Sequence, residues 1–157
     1  MPIIKNDSRY FIVSGGRGSG KSFSVNALLV MLTYEAGHVI LFTRYTLTSA
    51  YISIIPEFLD KLEQFGSIEH FHITKDEIIN KKTGSKIIFR GIKTSSGDQT
   101  ANLKSLQGVT TWVMEEAEEI DEDSFDKIDL SVRHKTKQNR IIFFQEGIGF
   151  LDSHWTG

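Results

Sequence analysis

The stretch Gly15-Gly16-Arg17-Gly18-Ser19-Gly20-Lys21-Ser22 constrains this chain more than any other. It matches the pattern G-x-x-x-x-G-K-[ST] in full. An apolar run, Tyr10-Phe11-Ile12-Val13, precedes it, and a helical pattern from Ser22 to Glu35 follows. Strand, glycine-rich turn and helix in that order predict a phosphate-binding loop. Gly15, Gly16, Gly18 and Gly20 let the backbone turn with its N–H groups inward, and Arg17 and Ser19 lie in the same nest. The helix that follows adds the partial positive charge of its N-terminus. Lys21 is expected to reach the β and γ phosphates of a nucleoside triphosphate as a point charge, and the Ser22 hydroxyl to take one position on Mg2+.

Three more apolar runs have the look of strands buried on both faces, as in parallel sheets: Val39-Ile40-Leu41-Phe42, Thr111-Trp112-Val113-Met114 and Ile141-Ile142-Phe143-Phe144. The spacing predicts a helix over 22–35 with Gly37 as its C-cap, a second over 52–65 with Pro56 in its first turns and Gly66 at its end, and a third over 121–132. Phe71-His72-Ile73, Glu77-Ile78-Ile79-Asn80 and Lys86-Ile87-Ile88-Phe89 alternate around Lys82-Thr83-Gly84, which predicts an antiparallel hairpin. Ser95 to Thr100 is polar and turn-rich, so it is read as a loop. The expected fold is α/β: a three-layer α/β/α P-loop NTPase with a mainly parallel sheet and an antiparallel hairpin at one edge.

The 157 residues fit one domain, taken as 1–157. There is no cysteine, which excludes thiolate metal sites and thiol catalysis. The apolar run Ala27 to Leu32 is too short to span a bilayer, and the N-terminus carries no secretion signal, so no membrane partner is expected. With a net charge of −2, any contact with nucleic acid needs a local basic surface. The candidates are the run Arg133 to Arg140 and the hairpin lysines Lys75, Lys81, Lys82 and Lys86, each equally well read as a solvated face. The histidines lack metal-ligand spacing, and packing or exposure accounts for them.

Hydrolysis needs evidence beyond the loop. The run Thr111 to Met114 leads into Glu115-Glu116, two carboxylates where ligands gather in open α/β sheets, at a strand's carboxyl end. Glu115 is assigned to the metal shell and Glu116 to deprotonating the attacking water. Eight of the twelve residues from Glu115 to Asp126 are acidic, so most of that run must be solvated surface; the strand before it singles out the first two.

Four stretches, in order, resemble the ATPase domain of the large terminase subunit of tailed bacteriophages, the motor that packages DNA into the procapsid. They are Tyr10 to Ser22, Phe89-Arg90-Gly91-Ile92 with Leu103-Lys104-Ser105, Thr111 to Ile120, and Arg140 to Phe144 with His154-Trp155. The likeness covers nearly the whole chain. It implies Mg2+-dependent ATP hydrolysis coupled to translocation of double-stranded DNA, in a homo-oligomeric ring on the portal protein, with a small terminase subunit as partner, in the cytoplasm of a bacterial host. Arg17 would then be catalytic, stabilising charge at the γ-phosphate with its fork of donors. Arg44 is read as a phosphate or DNA contact, or equally as a surface ion pair.

Two features depart from the family. Its last strand is usually followed by a polar motif, commonly Asn-Pro after Phe, whereas this chain has Gln145-Glu146-Gly147. The family's nuclease domain is also absent from these residues, so the expectation is an ATPase domain alone. Other readings are another nucleic-acid-dependent P-loop ATPase, or a truncated remnant that binds nucleotide without turning it over.

Overall fold

The computed structural model describes residues 10–14, 21–44, 55–91, 108–115, 122–132 and 139–145. Among the described residues seven strands form one sheet: β1 (Tyr10–Ser14), β2 (Val39–Arg44), β3 (Phe71–Ile73), β4 (Glu77–Asn80), β5 (Lys86–Gly91), β6 (Thr111–Met114) and β7 (Arg140–Gln145). Their order across the sheet is β1-β7-β6-β2-β5-β4-β3. The first five positions are joined in parallel, and β4 and β3 continue antiparallel from β5. The expected hairpin is therefore a three-strand meander whose last strand belongs to the parallel sheet.

The helices are α1 (Lys21–Leu32), α2 (Ile55–Gln64) and α3 (Glu122–Ser131), with a 3-10 turn at Ile68–His70. On α1, Val25, Leu28, Leu29 and Leu32 are buried at the i, i+3, i+4, i+7 spacing of one face. On α2 the buried stripe is Ile55, Phe58 and Leu62, while Glu57, Asp60 and Glu63 are exposed. Both stripes share a core with Ile40, Phe42, Ile87, Phe89, Val113 and Ile142, so α1 and α2 cover the same sheet face. Each such side chain contributes about 2 kcal/mol by leaving water. Phe42, Phe58 and Phe89 pack ring to ring, with centroids 5.5–5.9 Å apart, and clamp α2 onto β2 and β5. The alternate strand residues face the other way, where Trp112 meets Phe125 of α3 at 5.6 Å. That completes three layers.

The end of α2 is where the sequence placed it. Gly66 has φ +65°, Ser67 N–H donates to Leu62 O (2.9 Å) and Gly66 N–H to Glu63 O (3.0 Å), the paired bonds of a Schellman motif. At the end of α1 the expectation differs from the structure. The helix stops at Leu32, and Gly37, at φ +86°, serves the turn into β2 instead. Carbonyls just past α1 are satisfied from far along the chain. Thr83 Oγ1 donates to Thr33 O, and Ser85 Oγ donates to Glu35 O while accepting the His38 N–H at 3.0 Å. The β4–β5 turn is thus bolted to the far end of α1. Ser85 is buried, so Ser85→Ala strands both an N–H and a carbonyl and is expected to cost about 1–3 kcal/mol, read from the shift in urea midpoint.

Charged groups at this amino edge are committed to structure. His38, 3% exposed, lies 3.1 Å from Glu35 Oε2 through Nε2 and 3.0 Å from Thr110 Oγ1 through Nδ1. Arg140 is buried nearby. Desolvation lowers the pKa of its guanidinium, and the Glu35 carboxylate acts in the opposite direction.

Candidate active site

The parallel strands bring their carboxyl ends to one edge of the sheet. From β1 the chain crosses to β2 and then to β5, moving one way; from β5 it returns to β6 and then β7, moving the other. It leaves β2 and β6, which are neighbours, in opposite directions. That is a topological switch point, where α/β sheets open a crevice for ligands. The registers level the strand ends there: Thr43 pairs with Met114, Met114 with Phe143, and Ser14 with Gln145.

Glu115 stands at this switch point. Its N–H donates to Thr43 O at 3.0 Å, carrying the β2–β6 ladder one step beyond the strand. Val113 belongs to the core under α1, so period-two alternation turns Glu115 to the α1 side. Phe42 and Arg44 on β2 follow the same rule. The two charges meet there: Arg44 Nε lies 3.8 Å from Glu115 Oε2, with the side chains 21% and 26% exposed. This is longer than a hydrogen bond and is a charge contact. The ion-pair reading of Arg44 is the one the geometry bears out.

Lys21 and Ser22 open α1, the helix packed on this same face. The first four N–H groups of a helix lack acceptors within it, so α1 presents donors and the positive end of its dipole at the carboxyl edge. Topology thus brings the start of α1 and Glu115 to one face of one edge. Gly15, Gly16, Arg17, Gly18, Ser19, Gly20 and Glu116 lie outside the described residues, as does the loop at 95–100. Gln145 closes β7 beside Ser14, between the ends of β1 and β6.

Beneath Glu115 is a support that pattern reading missed. Trp112 Nε1 donates to Thr43 Oγ1 at 2.8 Å, and Thr43 Oγ1 donates to Val113 O at 3.3 Å. A buried indole N–H requires an acceptor, and the threonine that supplies it lies two residues beyond Leu41, the register partner of Trp112. Arg90 pairs with Thr43 in register, one step from Arg44, and so faces the other way. There its Nη1 is held by Asp76 Oδ2 at 3.2 Å.

Among the described residues, the cations proposed for nucleic acid lie at more than one end of the sheet. Lys75 lies near the β3–β4 turn, Lys81 and Lys82 lie at the opposite end in the β4–β5 turn, and Lys86 is 3.9 Å from Glu77. Residues 133–138 are outside the described set, and Arg140 is buried at the amino edge. Among the described residues no three potential ligands cluster as a metal site, and no helix is long and apolar enough to cross a membrane.

Solved proteins share this fold. A solved large terminase from a thermophilic bacteriophage superposes with a TM-score of 0.76 at 13% identity, over 98% of this chain and 38% of that one. Another crystal form of that thermophilic phage protein, in complex with ADP, gives 0.66 at 12% identity, over 91% and 34%. The large terminase ATPase domain of Thermus phage P74-26 gives 0.60 at 18% identity, over 89% and 61%. The chain therefore spans between about a third and three fifths of these solved chains. Among curated proteins no sequence matches. The family model described as phage terminase large subunit matches residues 7–156. With that match over nearly its whole length, and the α/β architecture that the solved terminases share, the chain belongs to the phage terminase large subunit family.

Proposed function

We propose that this chain is the ATPase domain of a DNA-packaging motor, hydrolysing ATP to drive double-stranded DNA into a procapsid in the cytoplasm of a bacterial host. The observation that carries the reading is the convergence of Glu115 and the start of α1 on one face at the switch point, within a terminase fold. Nucleotide capture by a relative of this fold, the thermophilic phage terminase in complex with ADP, adds support.

In this mechanism the backbone N–H groups of Gly15 to Gly20 and the Lys21 ammonium bind the phosphates. The Ser22 hydroxyl and the Glu115 carboxylate are hard oxygen donors suited to magnesium, which when bound neutralises charge on the phosphate oxygens. Glu116 takes a proton from water as its oxygen attacks the γ-phosphorus. The bond to the β–γ bridging oxygen breaks, releasing ADP and inorganic phosphate. Arg17 stabilises the charge that develops on the transferred group. The working form is a ring of subunits on the portal, supplied with DNA by a small terminase subunit.

The test is steady-state ATP turnover with Mg2+, with and without duplex DNA, beside Lys21→Ala. Turnover stimulated by duplex and reduced on the order of a thousandfold by Lys21→Ala is expected. Binding without turnover, at concentrations that allow assembly, would replace this reading with that of a remnant that binds nucleotide without turning it over, which Gln145-Glu146-Gly147 favours. Turnover coupled to strand separation would point instead to a helicase-type ATPase.

A further inference from the structure

We propose that Arg44 bars divalent metal from the nucleotide-free site, so that metal enters only with nucleotide; this rests on the assignment of Glu115 to the metal shell. The structure places a guanidinium 3.8 Å from the carboxylate, and both side chains are about three-quarters covered. Their separation is held by the backbone. β2 and β6 are neighbours in register, the Glu115 N–H is tied to Thr43 O, and Thr43 is in turn bonded to Trp112 and Val113.

A divalent ion approaching Glu115 without nucleotide meets a carboxylate beside which Arg44 already stands. It must also shed water that Mg2+ releases reluctantly. The repulsion between a unit positive charge and a divalent ion a few ångström apart disfavours that state. Nucleotide phosphates supply the missing negative charge and reverse the balance. An arginine suits this role because a guanidinium stays charged at any working pH. Arg90, the next cation on the neighbouring strand, is turned to the other face and held by Asp76, so it does not substitute. Arg44 is thus a positioning residue, acting through Glu115.

The experiment measures Mn2+ binding to the nucleotide-free chain by the loss of the free-ion EPR signal. The proteins are wild type, Arg44→Gln, Arg44→Lys and the double variant Arg44→Gln/Glu115→Gln. ADP binding in EDTA reports that each is folded, and Arg44→Met replaces the glutamine variant if that one fails this check. Arg44→Gln is expected to bind Mn2+ about tenfold more tightly than wild type, the size expected from removing one nearby charge in a partly solvated site. Arg44→Lys should stay near wild type, and the double variant should lose the gain. Equal affinity in wild type and Arg44→Gln, or a gain that survives Glu115→Gln, overturns the inference. Glu115→Gln alone separates the two levels. If the Mg2+ dependence of ADP binding is unchanged in it, the metal assignment itself fails. If that dependence disappears while Arg44→Gln shows no gain, only the role of Arg44 fails.

Discussion

Glu116→Gln is expected to leave ATP binding intact and to slow turnover by about 10²–10⁴-fold, the range lost with a positioned general base. Glutamine keeps the size of the side chain and its ability to hydrogen-bond water. It cannot accept the proton that water must give up as it attacks. The phosphates are held by other groups in the proposed site, the glycine-rich turn and Lys21, so affinity should not fall. Neighbouring Glu115 is no substitute base in this reading, since it is assigned to the metal shell and lies beside Arg44. Titration of a fluorescent ATP analogue gives the affinity, and single-turnover hydrolysis gives the chemical step. A variant that binds normally and still turns over within about tenfold of wild type would remove Glu116 from the role of base. Loss of binding and turnover together would make it a binding residue instead.

The largest expected effect on stability lies one layer below the site. Trp112→Ala should destabilise the fold by about 3–5 kcal/mol, the cost of truncating a large buried aromatic. Trp112 is 0% exposed and fills the space between the sheet and α3, against Phe125. Alanine leaves that space empty and takes away the indole N–H that Thr43 Oγ1 accepts. Single domains of this size are stable by about 5–15 kcal/mol, so the variant should be largely unfolded at moderate urea. Trp112→Phe is the discriminating companion. It keeps a ring against Phe125 and loses mainly the hydrogen bond, so about 1–2 kcal/mol is expected. Urea unfolding at 25 °C measures both. A cost under about 1 kcal/mol for alanine would mean that α3 collapses onto the sheet without the indole.

The two effects differ in kind because the residues do. Glu116 was legible as a candidate from its place after an apolar run. The weight on Trp112 was not, since the same run would have read as a strand with any large apolar residue there. Turn chemistry was equally legible where local rules govern. Gly66 ends α2 through bonds that span only six residues, and glycine is the residue that enters the left-handed region without strain. Gly37 was misplaced because the end of α1 is decided by Thr83 and Ser85, about fifty residues on.

The sequence by itself determined the types of the described elements, the place of Glu115 just past β6 and the α/β class. These follow from periodicity and from backbone preferences that act over a few residues. Only the tertiary structure decided the strand order, which sets β7 between β1 and β6 and makes β2 and β6 neighbours. That order is chosen by burial across the whole sheet, to which residues far apart in the chain contribute jointly. It alone puts Arg44 against Glu115 and turns Arg90 away. A charge contact between residues about seventy apart has no period and no motif, because it exists only once two strand ends have been laid side by side.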